Sequence, residues 1–324
     1  MPRIMADGQT LVFSSNRHTP NKGGMDLYLS KWSDGQWSAP ANLSFVNTAQ
    51  DEIYASATSI GASLLKDAPG ERRSELVEFS FPPELKPKAT VRVIGVVDGL
   101  ADLTKVNVNI INLETKQTLY GLQPDAKGNF VCYIPEGNLY GLFVEPPSDN
   151  FKYFEKRYDL TSGNKVPNFD RVAATLKPLG PGDEIELSGV TFMPFSSEIT
   201  STSIVDLQKL SKMMRGNPSL NFNVDVTLVG YIKDSIQTED LTEVVPDTVV
   251  YQKEFEIDSV TTETRDSIAI EYQYHNDRTP KQAQAIADFM IKQGVKPEKI
   301  SITYKALEES VAEKRKTLIY LKVR

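Results

Sequence analysis

The chain has 324 residues, 40% hydrophobic and 24% charged, enough for two or three globular domains with real cores. Its formal net charge of -7 and pI near 5.1 argue against a phosphate-binding surface, because nucleic-acid binders present a basic face. The single Cys132 excludes an intramolecular disulfide and a cysteine-based zinc site, and two distant histidines, His18 and His275, give little support to a histidine triad or metal cluster.

No apolar run reaches the roughly eighteen residues of a membrane-spanning helix, and the opening MPRIMADGQT lacks the hydrophobic core of a signal peptide. Residues 2–66 then read as short strands divided by turns at ADGQ, NKGG and SDGQ. The phrases PRIMADGQTLVFSSNR, GGMDLYLSKWSDGQWSAPANL and VNTAQDEIYASATSIGASLL resemble the WD-repeat-like propeller repeats of bacterial periplasmic proteins. That resemblance implies the end of a β-propeller over residues 1–87, about one blade and the start of another. One blade leaves sheet edges and an apolar face uncovered, so the expectation is a piece of a longer protein, with further blades and any export signal before Met1. Asp26, Asp51 and Glu52 are expected to hold turns rather than a metal.

A proline-rich break near residues 82–87 precedes a run of alternating strands over 88–163, the pattern of a small β-sandwich. Within it, Phe130, Val131, Cys132, Tyr133 and Ile134 alternate, which makes Cys132 a small strand residue. Gly95, Val97, Asp98, Thr115, Asp125, Gly128, Phe130, Ile134, Pro135, Gly137 and Tyr140 follow the pattern of the carboxypeptidase regulatory-like domain, which this stretch resembles. The resemblance implies a non-catalytic module. Residues 164–182, with Pro167, Pro178 and Pro181, read as a linker with some strand character at 171–176.

From residue 183 the order becomes strand, helix, strand. A strand is predicted at 185–195, an amphipathic helix at 203–215 stopped by Asn217-Pro218, and a strand at 220–232. The clearest helix comes later, at 279–294. Thr279 suits its cap, Pro280 its first turn and Gly294 its end, while Ala283, Ile286, Ala287, Phe289 and Met290 form one apolar face. Two more strands are predicted near 299–307 and 313–324.

LSGVTFMPFSSEI, a helix ending Asn-Pro, and a second helix followed by Gly-Val resemble the OmpA-like C-terminal domain, which anchors outer-membrane proteins on peptidoglycan. In that family an aspartate takes the ammonium of diaminopimelate and an arginine takes its carboxylate. Here the matching positions hold Lys233 and Gln282, so the usual grip is lost. Asp234 and Arg278 are possible substitutes, weighed against a reading of both as solvated surface. Lys314, Arg315 and Lys316 lie where the family has a further basic motif, as a remnant of the site or a wet strand entrance.

Between Lys233 and His275 stand eleven acids and three bases, net -8 against -7 for the whole chain. This acidic insertion, 233–275, is expected to form an irregular loop and then a protruding hairpin with exposed edges. The expectation for 1–324 is therefore a multidomain fold: a β-propeller fragment, a β-sandwich and an α/β sandwich of OmpA-like type with a hairpin insertion. The function it implies is a non-enzymatic scaffold or adaptor of the Gram-negative periplasm, associated with the outer membrane. No cofactor is expected, and the expected partners are envelope or secretion-complex proteins. The alternative is an anchor that still binds peptidoglycan through substitute residues.

Overall fold

The computed structural model describes residues 2–53, 55–57, 63–68, 75–162, 164, 166–194, 196–229, 237, 241–257, 262–307 and 316–324. It is mostly β-sheet, in several separate sheets of which none closes among the described residues, and it divides into two compact units. The first comprises Met1–Pro147 and Phe151–Lys177, the second Ser148–Asn150 and Pro178–Arg324. Among the described residues no helix is long and apolar enough to cross a membrane.

The first unit opens with an antiparallel sheet of Arg3–Ile4, Thr10–Ser15, Asp26–Ser33 and Gln36–Trp37, with Ala41–Asn42 also paired to Asp26–Ser33. The two-residue loop Asp34-Gly35, both at positive φ, is the hairpin turn that Asp-Gly favours. Val12, Leu27 and Leu29 pack with Leu43, Val46 and Phe81 to give this sheet its core. The acidic residues hold turns, as expected. Asp26 accepts from the Lys22 and Gly23 amides and the Asn42 side chain, Asp51 from the Met25 amide, and Glu52 from the Thr48 amide and hydroxyl. A separate sheet joins Ala55–Ala57, Ser63–Ala68 and Glu75–Ser80.

Two further sheets of this unit share one core. One is ordered Thr118–Leu122, Asn107–Asn112, Leu139–Glu145, Phe154–Asp159, and the other Asn129–Pro135, Thr90–Asp98, Phe169–Thr175. Val108, Ile110, Leu142 and Val144 from the first meet Val91, Val93, Phe130, Ile134 and Val172 from the second. Cys132 is buried among them, and burial pushes its thiol up to about 11, so it stays protonated and inert at neutral pH. Within the predicted linker, the strand character expected at 171–176 is present, and it belongs to the sheet. Residues 169–175 form a strand parallel to Thr90–Asp98, because Val172 and Ala174 alternate inward and close the core. Pro167 lies before the strand, where it removes no ladder bond.

In the second unit a four-stranded sheet runs Glu184–Glu186, Lys316–Val323, Phe222–Val229, Ile300–Leu307, with the last two strands parallel and the other pairs antiparallel. Helices α1 (Ile204–Gly216) and α2 (Thr279–Lys292) pack against each other, and α2 lies on the inner strand Phe222–Val229 and the edge strand Ile300–Leu307. Alternation explains the layering. Phe222, Val224, Val226 and Leu228 are buried on one side of the central strand, with Leu207, Leu210, Ala283, Ile286 and Met290 from the helices. The intervening Asn223 and Asp225 are satisfied on the other side, Asn223 by donating to Thr303 Oγ1 at 2.8 Å and Asp225 by pairing with Lys322. Gly294, at positive φ, ends the second helix as predicted.

Two expectations change in this unit. The strand predicted at 185–195 is confined to Glu184–Glu186; Gly189 and Pro194 break the extended pattern, and the residues beyond Glu186 form a loop with one isolated bridge, Phe192 to Ile199. The hairpin is longer than predicted, pairing Leu241–Glu256 with Thr262–Asn276, so residues 241–247 belong to strand rather than to an irregular loop. The rest of that loop expectation lies mostly outside the described residues.

Candidate functional site

The site is built around the first turn of α2. The Asp277 carboxylate accepts from the Thr279 amide at 2.9 Å and from its hydroxyl at 2.7 Å, so Asp277 satisfies one exposed N–H of the first turn and the Thr279 hydroxyl is held by it. Arg278 already has helical backbone angles, and its carbonyl accepts the Gln282 amide at 2.9 Å. This places Arg278 and Gln282 one turn apart on the same face of the helix.

Both residues line a cleft of about 430 Å³. Its opposite wall is the loop after Glu184–Glu186, including Val190, Met193 and Ser196, and its end is formed by Leu228, Lys316 and Thr317. Arg278 is 5% exposed and Gln282 8%. The expected solvated-surface reading of Arg278 is thus overturned: the sheet and loop enclose the first turn of the helix.

A group of hydroxyls fixes the loop wall. Ser203, fully buried, accepts from the Thr191 amide at 2.9 Å and lies 2.8 Å from the Thr200 hydroxyl, which is in turn 2.7 Å from that of Thr191. Gln282 ties the same loop to the helix, its Nε2 donating to the Ser196 carbonyl at 3.3 Å. Gln282 is therefore a brace across the cleft as well as part of its lining.

Among the described lining residues, Arg278 and Lys316 are cationic and none is acidic. The Lys316 side chain is exposed, whereas Arg278 is buried beside the apolar Val190 and Leu228. Such an arrangement suits an anionic group, and a planar carboxylate matches the fork of a guanidinium by two parallel hydrogen bonds. Of the positions singled out from sequence, Gln282 and Arg278 come together here, while Lys233, Asp234 and Arg315 lie outside the described residues. Sequence reasoning missed Thr191, Ser196 and Ser203. Their signal was the hydroxyl density of TFMPFSSEITSTS, which reads as an ordinary loop until its partners are known.

A second feature lies on the hairpin. Val250 faces Ile268, Thr248 faces Ile270 and Pro246 faces Tyr272, all on one side of the ribbon. Val250, Ile268, Ile270 and Tyr272 are each more than half exposed. Among the described residues the two strands pair only with each other.

No group of histidine, cysteine or carboxylate side chains able to hold a metal occurs among the described residues. No protein-family model matches the chain, and no curated protein matches it.

Proposed function

We propose that this chain is a non-enzymatic module of the Gram-negative cell envelope, working in the periplasm at the outer membrane. Its first unit would carry a propeller end and a regulatory-like sandwich, and its second an OmpA-like domain. In that domain Arg278 takes over the carboxylate grip that Gln282 cannot supply. The ligand is a carboxylate-bearing part of the envelope, with peptidoglycan the first candidate.

The observation that supports this reading is the burial of Arg278 in the same cleft as Gln282 and Lys316. A charged hydrogen bond contributes about 1.5–3 kcal/mol, so losing the guanidinium should weaken binding by roughly ten- to a hundredfold. Co-sedimentation with purified peptidoglycan tests it: wild type should pellet and Arg278→Ala should stay in solution, with Lys233→Asp/Gln282→Arg as a control that restores the family pattern. Equal pelleting of wild type and Arg278→Ala would overturn the reading.

The exposed apolar row on the ribbon favours a second reading, a scaffold that contacts an envelope or secretion-complex protein. Isolated two-stranded ribbons are only marginally stable in water, and large exposed apolar faces mark contact sites. Ile268→Thr/Ile270→Thr should then abolish a protein contact in cells while leaving peptidoglycan binding intact. Unchanged recovery of crosslinked partners would remove this reading.

A further inference from the structure

We infer that the cleft selects a carboxylate whose α-nitrogen is acylated and whose side chain is aliphatic, that is, the free C-terminus of a peptide, over a free amino acid. The inference rests on the carboxylate reading of the cleft and adds the ligand's class to it.

Three observations carry it. The first is charge. An ammonium on the carbon next to a carboxylate held by Arg278 would lie within a few ångströms of that guanidinium and near Lys316, and no described lining residue offers a compensating acid. A neutral amide nitrogen avoids the repulsion. The second is hydrogen-bonding capacity. Gln282 donates its Nε2 to the Ser196 carbonyl, which leaves its Oε1 as a neutral acceptor suited to an amide N–H; the hydroxyl of Thr317 adds another neutral partner. The third is the apolar wall. Val190 and Leu228 are almost fully buried, Met193 is about half exposed and adaptable, and together they give an aliphatic side chain a dry surface beside the charged end. A cleft of about 430 Å³ accommodates one or two residues.

Peptide C-termini come from two sources, and chirality separates them: proteins end in L residues, whereas cell-wall peptides end in D residues. Isothermal titration of the full chain with N-acetyl-L-leucine, N-acetyl-D-leucine, L-leucine and N-acetyl-L-leucinamide tests the inference. At least one N-acetyl acid should bind tenfold or more tightly than either leucine or the amide, and the preferred enantiomer assigns the source. Arg278→Gln should lose at least tenfold for that acid and Arg278→Lys less, with both variants retaining the wild-type circular dichroism. If leucine binds as tightly as the N-acetyl acids, the inference fails and the carboxylate reading stands. If the amide binds as tightly as the acids, or no ligand binds, both fail.

Discussion

The β-sandwich of the first unit and the α/β layer of the second bury polar groups in different ways. In the sandwich, the inward positions of both sheets are filled by residues such as Val91, Ile110, Ile134 and Leu142, and the charge of Asp170 stays at the rim, where it pairs with Lys156 at 2.6 Å and accepts from the Tyr158 hydroxyl at 2.6 Å. The α/β layer places Arg278 and Gln282 in the wall of a cleft, against a loop tied down by Ser203. The first arrangement fills a core with apolar groups. The second lines a concave surface with a charged and an amide side chain, and such surfaces concentrate at sites that bind something.

The comparison predicts opposite consequences for truncating the two regions. Leu142→Ala should destabilise the sandwich by about 2–5 kcal/mol, seen as a lower denaturant midpoint by circular dichroism, while the affinity for N-acetyl-leucine in native buffer stays unchanged. Arg278→Met should do the reverse. Binding should fall by about 1.5–3 kcal/mol, with a smaller loss of stability than Leu142→Ala causes, because methionine keeps most of the side-chain volume while Leu142→Ala opens a cavity in the core. A loss of stability as large as that of Leu142→Ala would make Arg278 a structural residue and erase the contrast.

Ser203→Ala should cost about 1 kcal/mol of stability and weaken ligand binding several-fold by loosening the loop wall; unchanged binding would mean that the hydroxyl cluster serves the fold alone. The smallest effect belongs to the sandwich rim. Burial by itself would raise the Asp170 carboxyl, but the bonds from Lys156 and Tyr158 outweigh it and hold the group below the usual aspartate range. A lowered folded-state value stabilises the protein above about pH 4, and the gain is lost as pH falls through that value. Lys156→Met should therefore cost a few tenths of a kcal/mol to about 1 kcal/mol at pH 7 and less at pH 3, read from denaturation midpoints at the two pH values.

Much of this contrast was legible in the residues themselves. The second helix occupies Thr279–Lys292 with Gly294 at its exit, as its apolar spacing requires, and the alternation around Cys132 places that residue in the sandwich core. What local pattern hid was long-range. The strand at Phe169–Thr175 pairs with Thr90–Asp98 across more than seventy residues, and its flanking prolines look like a linker. The loop at 187–200 alternates like a strand for several positions, and only the hydroxyl bonds to Ser203 show it to be a wall. Arg278 could be placed one turn before Gln282 from spacing alone. Its burial could not, since that depends on the loop and the Lys316–Val323 strand closing over the helix start.

The most direct test of the cleft is to watch the guanidinium itself. In a 15N-correlated spectrum of the full chain, the Arg278 Nε–H signal, assigned by its loss in Arg278→Lys, should shift saturably as the preferred N-acetyl-leucine enantiomer is added and stay in place with N-acetyl-leucinamide. An Arg278 signal unmoved by the acid, or moved equally by the amide, would contradict a carboxylate site at this position.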